Sequence, residues 1–180
     1  MQMKVTNHNS EDKRMGEKFF LLLVVAAVLH MLYYYPLLPH RMASHFDACG
    51  RPNVWSGKIA FFSIYAGVVL LMAVIQIMTR HSLAKTPISL ISLPNKNYWL
   101  SPERRAQSIA ILEKYLSGFW SATLMFLICT MDLAFGVNLG RNQALGEWFF
   151  LLLAAFILFT LVWTVSLIRR FARRPEQRAR

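Results

Sequence analysis

Residues 36–58 concentrate the side chains with the most chemical capacity: His40, His45, Asp47 and Cys49, followed by Trp55 and Lys58. Imidazole, carboxylate and thiolate are all competent zinc ligands. The spacing H-x4-H-x-D-x-C matches no coordination geometry, so neither a metal nor a cofactor is expected. His45 and Asp47 stand two apart, and alternate residues of an extended segment point the same way, which permits an acid–base pair. No nucleophile or oxyanion arrangement accompanies them, so no catalytic residue is assigned. Their plainer uses are loop hydrogen bonding and recognition of a partner. Gly50 and Pro52 flank Arg51 and predict a tight turn, which brings His45 and Asp47 back toward Trp55 and Lys58.

Two further ionisable residues sit in apolar surroundings. His30 interrupts the run 19–38 and Asp132 the run 115–137. Such groups are costly at membrane depth and usually face a bundle interior or a water-filled cavity. Helical rise puts His30 roughly 16 Å and Asp132 roughly 24 Å from one edge of a bilayer, close enough to pair by side-chain reach and tilt. The plainer reading has Asp132 snorkelling to the surface and His30 bonded to a neighbouring helix. Gln76 reaches the opposite interface.

The elements that must hold these residues are four apolar runs, 19–38, 59–78, 115–137 and 148–168. Each is about 20 residues long, enough for a helix to cross a hydrocarbon core. Runs 59–78 and 148–168 contain no charge at all. Lipid leaves helices as the practical spanning structure. The expected fold is therefore an all-α integral membrane protein, four transmembrane helices in one bundle forming a single domain, 1–180. Residues 39–58 form an outer loop and 79–114 a cytoplasmic loop. The first helix is expected to be uncleaved: no small-x-small site follows it, and Tyr33, Tyr34 and Tyr35 before Pro36 read as an interfacial belt. Cys49 falls outside and Cys129 within a span, so two free thiols are expected.

Net charge +11 and a pI near 10.2 raise the question of nucleic acid. The basic residues are placed by membrane topology instead. Lys4, Lys13, Arg14 and Lys18 precede the first run, Arg80 to Lys114 lie between the second and third, and Arg169 to Arg180 follow the fourth. Only Arg41, Arg51, Lys58 and Arg141 fall on the other side. The positive-inside rule gives N-in and C-in, and an even number of spans demands the same arrangement. The bilayer is the expected partner of the arginine-rich tail; no nucleic-acid contact is expected.

The cytoplasmic loop carries Leu93-Pro94-Asn95-Lys96-Asn97-Tyr98-Trp99, a turn with aromatics at headgroup level. Ser101-Pro102-Glu103 reads as a helix start, with Ser at the N-cap and Pro at the first helical position. One helix is then predicted to about Val137.

The run Pro39 … His45-Phe46-Asp47-x-x-Gly50-x-Pro52-Asn53 … Lys58 after a first transmembrane helix resembles a bacterial membrane domain of unknown function. Its best-known members are the SdpI-like proteins, which give immunity against a sporulation-delaying toxin. The stretch 93–105 is similar to one found in the same proteins. SdpI-like proteins have more spans than four, and their pattern does not call for Cys49. The resemblance implies a candidate partner- or ligand-binding site: His45, Phe46, Asp47, Gly50, Pro52, Asn53, Trp55 and Lys58 outside, and Asn95, Tyr98, Trp99, Glu103 and Arg104 inside. The expectation is a non-enzymatic, multi-pass protein of the bacterial inner membrane. It would sense a peptide or protein partner through the outer loop and signal through 93–105. The alternative is an intramembrane enzyme or small proton-coupled transporter using His30, His45, Asp47 and Asp132.

Overall fold

The computed structural model describes residues 2–173, with side chains from Met15 onward. Lys4, Lys13 and Arg14, and Arg174, Arg178 and Arg180 in the basic tail, lie outside the described side chains. Long helices dominate: α1 Gln2–Tyr34, α2 Lys58–Leu83, the short α3 Lys96–Trp99, α4 Arg105–Asn138 and α5 Gly146–Ala172. Four of them are long and apolar enough to cross a membrane, α1 through its part Met15–Tyr34.

The fold is not purely helical. Residues expected as loop form an antiparallel hairpin, β1 Arg41–Phe46 and β2 Pro52–Gly57. Arg41 pairs with Gly57, Met42 with Ser56 and Ala43 with Trp55. The ladder then slips at Ser44 and again at Asn53, so that His45 faces Val54 and Phe46 faces Pro52. Each bulged residue is left out of the pairing and bends its strand. Pro52 opens β2, where a missing N–H costs little.

The first helix stops at Tyr34 rather than running to 38, because Pro36 disfavours helical backbone in the residue before it. The chain turns with Leu37 and Leu38 amides both donating to the Tyr34 carbonyl. Ser101 is not an N-cap: α4 starts at Arg105, and no side-chain hydrogen bond caps it. Residues 101–104 form a turn in which the Arg104 and Arg105 amides both donate to the Ser101 carbonyl.

Helix α4 lies against α1, α2 and α5, while α5 touches chiefly α4. The core between α1, α2 and α4 centres on Phe135, which is fully buried. Its ring meets those of His30, Tyr34, Phe61, Phe62 and Tyr65 at centroid distances of 4.9–6.3 Å. Among lipid chains, helices associate through such packing rather than through hydrophobic burial. In α5 the apolar window contributes nothing buried. Phe126 stacks on Phe156 at 4.5 Å, and the Trp163 indole donates to the Tyr115 carbonyl at 3.0 Å. Apolar on all sides, α5 suits lipid as its surroundings.

Asn138 supplies the side-chain hydrogen bonds from α4 to the hairpin. Asn138 accepts from the Ala43 amide at 2.6 Å and donates to the Ala43 and Ala134 carbonyls at 3.2 and 2.9 Å. Its side-chain amide occupies the free edge of β1 as a neighbouring strand would, which removes an exposed edge. Asn138→Ala breaks all three bonds, at about 1–3 kcal/mol for the buried groups left unpaired. Backbone exchange at Ala43, followed by hydrogen–deuterium exchange, is expected to speed up by about fivefold to a hundredfold on that scale. An unchanged rate would mean that the hairpin is held elsewhere.

Candidate functional site

Asp47 organises the tip of the hairpin. Its Oδ1 accepts from the Cys49 and Arg51 amides at 2.8 and 2.9 Å, closing an Asx-type turn. Gly50 completes the turn at φ +74°, and its carbonyl accepts from the Leu145 amide at 2.9 Å. A Cβ at Gly50 would come 3.3 Å from that of Leu145, so both the conformation and the contact favour glycine. The His45 ring does not pair with Asp47; its Nδ1 lies 2.7 Å from Asn53 Oδ1 across the bulge.

The turn does not bring His45 and Asp47 to Trp55 and Lys58. The register places Ala43 opposite Trp55, and Lys58 stands at the hairpin's base, one strand length from the tip. The Lys58 ammonium donates to the carbonyls of Tyr35 and Leu38 at 3.0 and 2.7 Å and sits 4.9 Å from the Tyr35 ring centroid. Phe46 packs against Ala134, Val137 and Leu145. Val54 and Trp55 project outward, 52% and 48% exposed. Cys49 and Cys129 are both free, and the described residues contain no group of three or more His, Cys, Asp or Glu placed to hold a metal.

His30 and Asp132 are neighbours. His30 Nε2 lies 3.4 Å from Asp132 Oδ1, and the Tyr34 hydroxyl donates to the same oxygen at 2.7 Å. Tyr34 is therefore not a belt residue: it is buried and turned inward, while Tyr33 and Tyr35 are exposed. Its spacing of four from His30 puts both on one face of α1, a signal present in the sequence. Arg141, from the connection to α5, brings its guanidinium beside the Tyr34 hydroxyl. The His30 ring stacks on Phe135 at 5.2 Å and meets Tyr65 edge-on. Asp132 opens on a cavity of about 570 Å³ between α1, α4 and α5.

At the other end of the helices, the 84–105 connection serves helix termini. Asn95 adopts the left-handed conformation at φ 53°. Its Nδ2 donates to the carbonyls of Phe171 and Ala172 at 3.3 and 2.9 Å. The Trp99 indole N–H adds 2.7 Å to Phe171 O, and Ser108 Oγ donates to Trp99 O at 2.7 Å. Arg105 reaches the carbonyls of Ala84 and Thr86 past the end of α2. Tyr98 lies under the Arg104 guanidinium, 4.2 Å from ring centroid to carbon. Glu103 is exposed; Ser101 and its own backbone amide hold its carboxyl below the ordinary range. Of the residues expected here, Asn95 and Trp99 are structural caps of α5, Tyr98 packs half-buried against the Trp99 cluster, Arg104 is half-buried over Tyr98, and Glu103 is exposed.

A second cavity, of about 640 Å³, lies between α1, α2 and α4 near this end. Gln76 lines it and is buried rather than at the interface, as are Glu113 and Ser117. Glu17 and Arg80 form an ion pair at 2.6 Å on its wall.

Residues 22–77 match the family model described as Domain of unknown function (DUF1648). The match takes in the apolar part of α1, the hairpin and most of α2. It includes His30 and Tyr34 but not Asp132, and Lys58 but not Asn138. No curated protein and no solved structure matches the chain.

The caps of α5 generate a stability prediction. Trp99→Phe keeps the ring and removes the indole donor to Phe171 O, a loss of roughly 1 kcal/mol. The midpoint of unfolding in mixed detergent is expected to fall. An unchanged midpoint would show that the α5 end needs no such donor.

Proposed function

We propose that the chain is a non-enzymatic, multi-pass protein of the bacterial inner membrane that binds a peptide or protein partner on the outer face of its hairpin. In this reading both termini and the 84–105 connection are cytoplasmic and the helices form one bundle. The observation that carries it is the hairpin itself: an exposed Val54–Trp55 surface on a short sheet whose other edge is fastened to α4 by Asn138. Exposed aromatics on a fixed platform suit partner recognition. His45 and Asn53 lie beside this surface and add polar groups. A load on the hairpin passes to α4, against which α5 rests, and α5 ends in the Asn95–Trp99 clamp. This supports a role for 93–105 in relaying occupancy to the cytoplasm, as in an immunity-type response.

A second reading, an intramembrane enzyme or small proton-coupled transporter, is favoured by the 3.4 Å approach of His30 to Asp132 above a cavity. His45 and Asp47 take no part in that cluster.

Photo-crosslinking separates the two. A benzophenone side chain placed at Val54 or Trp55 in intact cells is expected to yield a discrete peptide or protein adduct, and one at Leu161 in α5 only lipid. Asp132→Asn is expected to leave the adduct yield within about twofold, since its carboxylate lies outside the hairpin surface. Absence of any adduct at 54 and 55 sinks the partner reading. Loss of a measurable transport or turnover activity in Asp132→Asn would establish the second.

A further inference from the structure

We infer that the cavity between α1, α4 and α5 is a binding site for a single-chain amphiphile with a cationic amine head, held on the Asp132 carboxylate. The site stands independently of the hairpin's partner. Its volume of about 570 Å³ falls among small-molecule sites, which run to roughly 300–1,000 Å³.

The charge of the site selects the head. The Asp132 side chain is 55% exposed and lines the cavity. Its Oδ1 receives the Tyr34 hydroxyl and approaches His30 Nε2. Histidine's other nitrogen, Nδ1, is buried with no hydrogen-bond partner. A doubly protonated ring would bury an N–H with nothing to accept it, so geometry favours the neutral ring with its proton on Nε2. Two neutral donors then serve one carboxylate oxygen. Among the described residues no lysine or arginine is ion-paired with Asp132, and Arg141 is turned toward Tyr34. Arg141 stands on the Tyr34 side of the carboxylate, and the half-exposed Asp132 keeps its other oxygen open to the cavity, where a cation is attracted to it. A primary ammonium is such a cation and hydrogen-bonds the remaining oxygen.

The walls select the tail. Ile128, Leu133, Leu151, Leu152 and Ala155 offer only apolar atoms from their side chains, and Trp148, 74% exposed, places an indole at the mouth. Trp148 is the second residue past the Gly146 start of α5, and Asp132 is six residues before the Asn138 end of α4. Head and indole therefore lie at the interface level, where an amine gains a cation–π contact while its chain follows the helices into the bilayer. An anionic head would meet the carboxylate, and a neutral head would leave its charge unanswered.

Cys129 lines the same cavity and reports its occupancy. The test uses the full chain carrying Cys49→Ala in phosphatidylcholine nanodiscs and follows alkylation of Cys129 by N-ethylmaleimide. Dodecylamine is expected to slow alkylation saturably, by about tenfold, the effect of roughly 1.4 kcal/mol. Dodecanol and dodecanoate should not. In Asp132→Asn, referred to its own rate without amine, protection should vanish; in Trp148→Leu it should weaken. Equal protection by dodecanol would reduce the cavity to an apolar groove, and absence of protection by the amine would remove the site. Should Asp132→Asn fail to fold, the amine–alcohol comparison on the parent chain still decides.

Discussion

A helix that ends near lipid leaves its last carbonyls without partners, and water is not freely available to replace them. The connections of this protein are built around that deficit. Lys58 answers the carbonyls just past α1, Arg105 those past α2, and Asn95 with Trp99 those of α5. Helix α4 closes on itself: Gly140 at φ +71° lets the Arg141 amide fold back to Gly136 O, as in a Schellman-type ending. The cationic donors complement the negative ends of the helix dipoles as well.

Because each cap comes from a different element, the caps also fix how the elements sit together. Lys58 begins α2 and closes α1, which ties the two helices of the matched segment 22–77 together at the base of the hairpin. Asn138 ends α4 and holds β1. Gly50, at the hairpin tip, receives the amide of Leu145 just before α5. The hairpin is thus anchored to α2, α4 and the α4–α5 connection, and Val54 and Trp55 are its exposed large apolar residues. Rigid support and an exposed apolar face are the two physical requirements of a recognition surface.

Much of this was legible in the residues and some was not. Four apolar runs foretold the four long helices, because length and hydropathy act locally and need no partner to be read. Helical rise was enough to suggest that His30 and Asp132 could meet. Tyr34 was missed because it stands in a run of three tyrosines of which two face outward, and the run resembles a belt. The hairpin was read as loop since bulges at Ser44 and Asn53 destroy the alternation that marks a strand. Ser101 has the chemistry of an N-cap, yet helix α4 begins later, where Arg105 is drawn to the end of α2. Asn138 carries no local signal: its partner is Ala43, 95 positions away. Lys58, Asn95 and Trp99 were singled out as a recognition site, and their side chains are engaged in capping.

The side of the membrane on which the hairpin lies bears most directly on the proposal that it receives an external partner. Cys49 is exposed at the hairpin tip, and Cys129 lies within α4 among apolar neighbours. Intact cells treated with a membrane-impermeant maleimide, with Cys49→Ala as background, report that side. Labelling of Cys49 without breaking the cells is the expected result and puts the Val54–Trp55 face outside. Labelling of Cys49 only after lysis would place the hairpin in the cytoplasm and contradict its reading as an outer recognition surface.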